Sequence, residues 1–385
     1  MCCFCPFCSL PTTHYQLFVM IRYLTAGESH GPALVGIIEG VPPGIKVSED
    51  DFEKLFVRRK LGYGRSGRTK IETDKVTVLA GITGGQTNGG PIALMIENRD
   101  YKAHASHMHP FNEPSLEGRI PVPLPGHADF QGAMKFGFSD CRSVRERASG
   151  RETAMRAALS VPARNYLETK GIKFLSFIDA LGDVSAQNDY SLGFEEAEAL
   201  LQLNDENLPC QDAKTAESWR KMIEQAQENG ESIGVSMTTA VYGLPLGLGS
   251  YTHYDRRLEY ALSGAVMSIP GVKGMEIGFG RDLASKSGIK YDSIELAGDA
   301  IYKRGSNLSG GIEGGMTTGE ILIVRYFMKP LPGNSRASSV NLETGEKAMP
   351  AFYRSDVCVP VPLAVAVESV LAIEILKALL CRASE

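Results

Sequence analysis

Thr25-Ala26-Gly27-Glu28-Ser29-His30-Gly31-Pro32 interrupts an apolar pattern, and the runs on either side of it decide how the chain folds. Ile21 to Leu24 and Ala33 to Ile38 read as short strands, which makes the octet a strand-to-strand turn. Glu39-Gly40-Val41-Pro42-Pro43-Gly44 then closes the second strand. A strand core has no use for Glu, Ser and His together. The flanking glycines let backbone approach a ligand, and the three side chains supply a carboxylate, a hydroxyl and an imidazole within one turn. A polar turn that only caps its own backbone is the bland alternative. We read the octet as part of an active site on a mixed α+β scaffold.

With 385 residues, 43% of them hydrophobic, the chain can bury a sizeable core in one large domain or two ordinary ones. No apolar run reaches the ~18 residues a membrane span needs, so no membrane partner is expected. Net charge is −5, yet cations cluster twice, at Arg58-Arg59-Lys60 through Arg65, Arg68 and Lys70, and at Arg142, Arg145, Arg147, Arg151 and Arg156. An acidic whole argues against nucleic acid, and local arginines favour a small polyanion; a salt-bridged face is the alternative. Of eight cysteines, Cys2, Cys3, Cys5 and Cys8 crowd the start, while Cys141, Cys210, Cys358 and Cys381 are scattered. Scatter of this kind suits a reducing, cytoplasmic location. The Cys5–Cys8 pair lacks the further ligands zinc wants, and no metal is expected. Met20 begins the well-patterned sequence, so residues 1–19 read as a disordered or mis-annotated extension and 20–385 as a single domain.

Ser48-Glu49-Asp50-Asp51 has capping-box spacing and should start a helix over Glu49 to Lys60, with Arg58 and Arg59 at its C-terminal end. Gly62-Tyr63-Gly64-Arg65-Ser66-Gly67 matches GxGxxG but lacks the strand before and helix after, so it reads as a flexible arginine-bearing loop. Strands are expected over Val76 to Leu79 and Ile92 to Ile96. The turn between them, Gly84-Gly85-Gln86-Thr87-Asn88-Gly89, shares Gly-Gly-x-Thr-x-Gly with Gly314 to Gly319, a hint of two sheets built alike. His104, His107 and His109 could suggest a metal, but flanked by Lys, Pro and Asn with no periodicity they read as part of a mobile loop, and His127 reads as an imidazole beside Asp129 in a tight turn. Ser149 to Glu152 reads as a capping box opening a helix that Pro162 should kink or shorten. A helix N-terminus flanked by arginines is a natural anion seat. A charged, helical insertion lies around 185–232, and strands are expected near 233–242 and 320–328, separated by a helix over Arg256 to Ser268. A long apolar helix from Pro362 to Leu380 should be central to the core.

Three motifs together resemble the chorismate synthase family: Gly27-Glu28-Ser29-His30-Gly31 with Glu39-Gly40-Val41-Pro42; Arg147-Ala148-Ser149-Gly150-Arg151-Glu152-Thr153; and Arg354-Ser355-Asp356 with Glu368. Pro125-Gly126-His127-Ala128-Asp129 and Gly310-Gly311-Ile312-Glu313-Gly314-Gly315 add to the likeness. The resemblance implies a β-α-β sandwich with helices packed between two antiparallel sheets, and a homotetramer. It implies anti 1,4-elimination of phosphate from 5-enolpyruvylshikimate 3-phosphate to give chorismate, requiring reduced FMN without net redox change. By the same likeness His30 is the acid near the leaving phosphate, His127 polarises the flavin, and Ser29 and Asp356 handle the remaining proton. Arg59, Arg65, Arg68 and Arg151 would clamp the substrate. Arg147, Ala148, Ser149, Pro270, Gly271, Gly314, Lys329, Gly333 and Arg354 would line the flavin site. A histidine acid suits this chemistry, because a phosphate dianion beside it favours the protonated form.

The chain departs from the commoner family pattern at Leu124, where an arginine is usual, and at Gly150, Pro270-Gly271 and Gly333. Leu124 bears on substrate affinity more than on reaction type. Two rival readings are an NAD(P)H-using flavin reductase and a binding protein without turnover. NADPH is a candidate reductant by the first of these, and a separate flavin reductase is the candidate partner otherwise.

Overall fold

A computed structural model of the chain describes residues 21–382, except 68–70, 112–114, 116–117, 287–290, 299–300, 335–336 and 352–354. The cysteine-rich start of the sequence lies outside the described residues. The octet sits where expected, between β1 (Arg22–Ala26) and β2 (Ala33–Glu39), which pair antiparallel with Ala26 opposite Val35. After α1 (Glu49–Lys60) come β3 (Val76–Ala80) and β4 (Ile92–Glu97), giving a first antiparallel sheet ordered β1-β2-β4-β3. The α1 capping box forms as read: Ser48 accepts from the Asp51 amide and Asp51 from the Ser48 amide.

Three helices, α2 (Tyr101–Met108), α3 (Asp129–Phe136) and α4 (Arg142–Arg147), lead into α5 (Thr153–Glu168). The second half then repeats the first. Strands β5 (Lys173–Leu181), β6 (Val235–Tyr242), β7 (Val272–Ile277) and β8 (Leu322–Met328) make an antiparallel sheet ordered β5-β6-β8-β7, the same order in matching positions, with Val184–Ser185 added at one edge. The two Gly-Gly-x-Thr-x-Gly segments are matching hairpins. Thr87 Oγ1 donates to the Pro42 carbonyl and accepts from the Ile45 amide; Thr317 Oγ1 donates to the Pro245 carbonyl and accepts from the Leu248 amide. The hint of internal duplication therefore holds at the level of single hydrogen bonds.

Helix α5 lies on the first sheet, α9 (Pro360–Arg382) lies on the second, and the two pack on each other in the middle. This is the sandwich, and it explains why α9 has no polar face: from Pro360 to Ile373 every residue is buried. Gly36 of β2 shows how close the layers are, since a Cβ there would meet Met155 Cγ at 2.6 Å and Leu159 Cδ1 at 2.8 Å. Pro162 does not shorten α5; the helix runs unbroken to Glu168 because both its faces are buried between the layers, which outweighs the lost hydrogen bond. In the 185–232 segment, α6 (Phe194–Leu203) covers the outer face of the second sheet, and α7 (Ala213–Asn229) inserts Trp219, fully buried, into the main core. The helix expected from Arg256 begins at Leu258 (α8, Leu258–Met267) after a single 3₁₀ turn.

Candidate active site

The β1–β2 turn is held open by Asn98, whose amide donates to the Gly31 carbonyl at 2.8 Å and the Glu28 carbonyl at 3.1 Å. His30 is fixed from below by Glu146 on α4: the His30 amide and Nδ1 reach Glu146 Oε2 at 2.9 and 2.8 Å. Burial alone would raise the Glu146 carboxyl, but the hydrogen bonds and charge of His30, with Arg142, hold it below its ordinary value. An ionised carboxylate only accepts, so Nδ1 carries hydrogen and Nε2 is left toward the cleft. Ser29 is buried next to it, with Ser149 Oγ donating to Ser29 Oγ at 3.2 Å.

His127 repeats the arrangement. Its Nδ1 meets Asp129 Oδ1, while Asp129 Oδ2 accepts from Arg145 Nε at 2.8 Å and from the Leu124 amide at 3.1 Å. Asp129 is fully buried; burial pushes its carboxyl up, and the His127 and Arg145 hydrogen bonds override that and keep it low. His30 and His127 thus each stand on a buried carboxylate that is itself held by an arginine.

The two histidines open into one cleft of roughly 660 Å³, of the size that takes a small ligand and a cofactor together. Its polar wall carries Arg59, Arg65 and Arg151. Arg151 is anchored by Asp74 and, at 3.0 Å, by Asn98 Oδ1. Asp74 is a non-glycine residue with φ of 53°, buried at 3% exposure, a strained conformation kept at the point where the arginines meet. Burial, offset by Asp74 but reinforced by Arg151 and Arg65, pulls Arg59 down to about 10, so it stays charged at neutral pH. Arg59 Nε and Arg65 Nε are buried without a hydrogen-bond partner, a concentration of positive donors that an anionic ligand would satisfy. Arg65 Nη1 donates to Asp356 Oδ2 at 2.8 Å, which ties these two cleft residues together.

The opposite wall is apolar, built by Leu124, Ile269, Pro270, Met328, Leu331 and Pro332. Lys329 stands next to it, donating to the Gly126 carbonyl, and burial together with the charge of Lys273 lowers its ammonium. Neither lysine has an ion pair among the described residues. An apolar wall with Lys329 beside it fits an aromatic ring system bearing a phosphate, as the FMN expected from the sequence would require.

Of the residues singled out from sequence, Ser29, His30, Arg59, Arg65, His127, Ser149, Arg151, Pro270, Gly333 and Asp356 line this cleft. Arg147 points away, donating to the Thr25 carbonyl at 2.8 Å, because α4 turns Arg142, Arg145 and Glu146 inward and leaves position 147 on another face. Gly314 forms the turn of the second hairpin, and Gly271 and Ala148 are neighbours of lining residues rather than part of the wall. Arg68 and Arg354 lie outside the described residues.

Three local readings are corrected. His104 to Met108 are helical, not loop, and the helix carries His104 to within 4.3 Å of the His30 ring. The Ser149–Glu152 capping box forms only by half: Ser149 accepts from the Arg151 amide in a 3₁₀ turn, while Glu152 binds Arg156 and Thr25 instead. Not all clustered arginines serve a ligand either. Arg58, Arg145 and Arg156 are bound to Glu368, Asp129 and Glu152, because a half-buried guanidinium needs a carboxylate wherever no ligand supplies one. Sequence reading missed Glu146, Asp74 and Asn98 altogether. Glu146 sits four residues after Arg142 in the second arginine cluster and could have been found as a helical partner; the roles of Asp74 and Asn98 exist only through tertiary contacts.

Comparison with known proteins agrees with this geometry. The family model described as "Chorismate synthase" matches residues 21–380. A "Chorismate synthase" of Desulforamulus reducens is 43% identical over 364 residues, covering 94% of each chain. One from Beutenbergia cavernae is 42% identical, covering 94% of this chain and 93% of its own. A solved structure titled "Crystal Structure of Chorismate Synthase" superposes with a TM-score of 0.73 at 30% identity, covering 94% of this chain and 92% of the other. A family match over nearly the whole chain, an antiparallel helix-filled sandwich and an arginine-lined cleft with two braced histidines lead to one conclusion: the chain belongs to the chorismate synthase family.

Proposed function

We propose that the cleft removes phosphate from 5-enolpyruvylshikimate 3-phosphate by anti 1,4-elimination, forming chorismate, the last step of the shikimate route, as a carbon–oxygen lyase acting on phosphates. The observation that carries this reading is the pair of histidines on buried carboxylates facing a wall of buried arginines. Arg59, Arg65 and Arg151 neutralise and orient the substrate's carboxylates and phosphate, and the rigid supports of Arg151 keep that orientation without reorganisation. His30 presents Nε2 to the leaving phosphate and gives it a proton, while Glu146 stabilises the imidazolium before transfer. Reduced FMN, when bound, would supply transient electron density to the substrate. Lys329 and the apolar wall of Pro270, Met328 and Pro332 would hold it, and His127 would hold a proton at its polar edge. Ser29 and Asp356 complete the proton path, with Arg65 fixing the carboxylate.

The free thiols of Cys141, Cys210 and Cys358 agree with a reducing cytoplasmic setting. Leu24, Ile37 and Leu79, all exposed on the uncovered face of the first sheet, suit burial against further copies in a homotetramer. The test is an anaerobic assay with chemically reduced FMN and substrate, following chorismate absorbance and phosphate release. Equal amounts of both with no net flavin oxidation are expected; tight flavin binding without product would refute the assignment. Mixing flavin-loaded protein with NADPH alone separates self-reduction, which bleaches the flavin, from reliance on a separate reductase.

A further inference from the structure

Asp100 stands at the N-cap position of α2 without a side-chain capping bond and His104 lies one turn on, so both side chains leave the helix on the same side and face the His30 imidazole. His104 Nε2 lies 3.8 Å from Asp100 Oδ2, and His30 Nε2 lies 3.6 Å from the same oxygen. All three ligand atoms fall within 4.8 Å of one another. Ligands around a tetrahedral zinc are about 3.3 Å apart, given bonds of ~2.0–2.1 Å, so the two carboxylate–imidazole distances would close by about 0.3–0.5 Å and the imidazole–imidazole distance by at most about 1.5 Å, a side-chain rotation rather than a backbone movement.

We propose that His30, Asp100 and His104 form a binding site for a divalent transition metal of the zinc class, with the fourth position open to the cleft. Two features beyond the spacing favour it. Glu146 grips His30 Nδ1 at 2.8 Å, the carboxylate–histidine support that fixes a ligating imidazole and leaves its other nitrogen free to donate a lone pair. The set is two imidazoles and one carboxylate, which selects zinc or cobalt over magnesium or calcium. All three residues line the cleft, so the open position takes water or an oxygen of an anionic ligand. Metal at this site occupies His30 Nε2. Binding stands on the geometry alone; its consequence, loss of turnover, rests on the reading of His30 as the acid.

The test uses the full chain with Cys2, Cys3, Cys5 and Cys8 changed to Ser, so that thiolates at the start of the sequence do not compete. Co²⁺ is titrated into metal-free protein and followed by its visible absorption, then displaced with Zn²⁺. One equivalent is expected to bind with a nitrogen–oxygen spectrum. His104→Ala and Asp100→Asn should each weaken affinity at least about tenfold, with apo-protein thermal unfolding recorded to show that both fold. Absence of Co²⁺ binding, affinity indifferent to both substitutions, or a thiolate charge-transfer band would overturn the site. Tight, His104-dependent Co²⁺ binding with turnover untouched by Zn²⁺ would support the site and refute instead the assignment of His30 as the acid.

Discussion

Glu368, at the centre of α9, is fully buried between two arginines and a serine. Arg58 reaches it through both terminal nitrogens at 2.5 and 2.6 Å, Arg164 at 3.1 Å and Ser176 Oγ at 2.7 Å. Burial alone would raise the carboxyl; Arg58, then Arg164 and Ser176, bring it down from 4.5 to about 2. That shift corresponds to roughly 3 kcal/mol. Arg58 keeps 36% of its side chain in solvent, which screens its share. We therefore expect Glu368→Gln to cost about 2–3 kcal/mol near pH 7. Because the folded pKa is depressed, the stabilisation is complete above pH 4.5 and drains away as pH falls through about 2. Roughly two-fifths of it should be gone at pH 3.5, where the carboxyl of the unfolded chain is already mostly protonated while the folded one stays ionised. Urea unfolding of both proteins at pH 7 and pH 3.5 measures the gap; urea avoids the ionic screening that guanidinium would add. A gap of the same size at both pH values would refute this account. Since Arg59 follows Arg58 on α1, the variant should also raise KM for substrate more than it lowers kcat.

His30→Ala and His127→Ala should each lower turnover by about 10²-fold or more while flavin binding stays near normal, the scale of a lost general acid or its equivalent; near-normal turnover in either removes that residue's role. Arg65→Met should raise substrate KM by roughly tenfold or more, the size of a lost charged hydrogen bond, and an unchanged KM would show that the guanidinium serves Asp356 alone. Gly36→Ala forces a Cβ against Met155 and Leu159, so the urea midpoint should fall by an amount equal to about 1–3 kcal/mol, partly restored by Met155→Ala. An unshifted midpoint would mean that α5 can retreat from the sheet.

Much of this architecture is legible from residue order. The α1 capping box, the long apolar α9 and the alternating strands carry local signals, and the octet around His30 announces itself by placing three reactive side chains between glycines. What stays hidden is whatever only the third dimension assembles. Nothing local marks Asp74 as the meeting point of Arg59 and Arg151, or Asn98 as the brace between Arg151 and the His30 turn. His104 was read as loop because Lys, Pro and Asn surround the histidines; an eight-residue helix with no buried residue leaves little periodicity to find. That misreading also hid its approach to His30 and, with it, the grounds for reconsidering a metal.

Helix α9 emerges from the ribosome after every strand of both sheets, yet its first turns supply Pro362, Leu363 and Ala366 to the cleft wall, and its middle supplies the counter-charge for Arg58, 310 positions earlier. Until it docks, α5 has an apolar face open to water and two guanidiniums lack their carboxylate. A nascent chain that has made both sheets is therefore still an adhesive, unfinished object, the kind of species that chaperones hold. Ligand competence and protection from aggregation arrive in the same late event, so translation cannot release a half-folded chain that already consumes substrate.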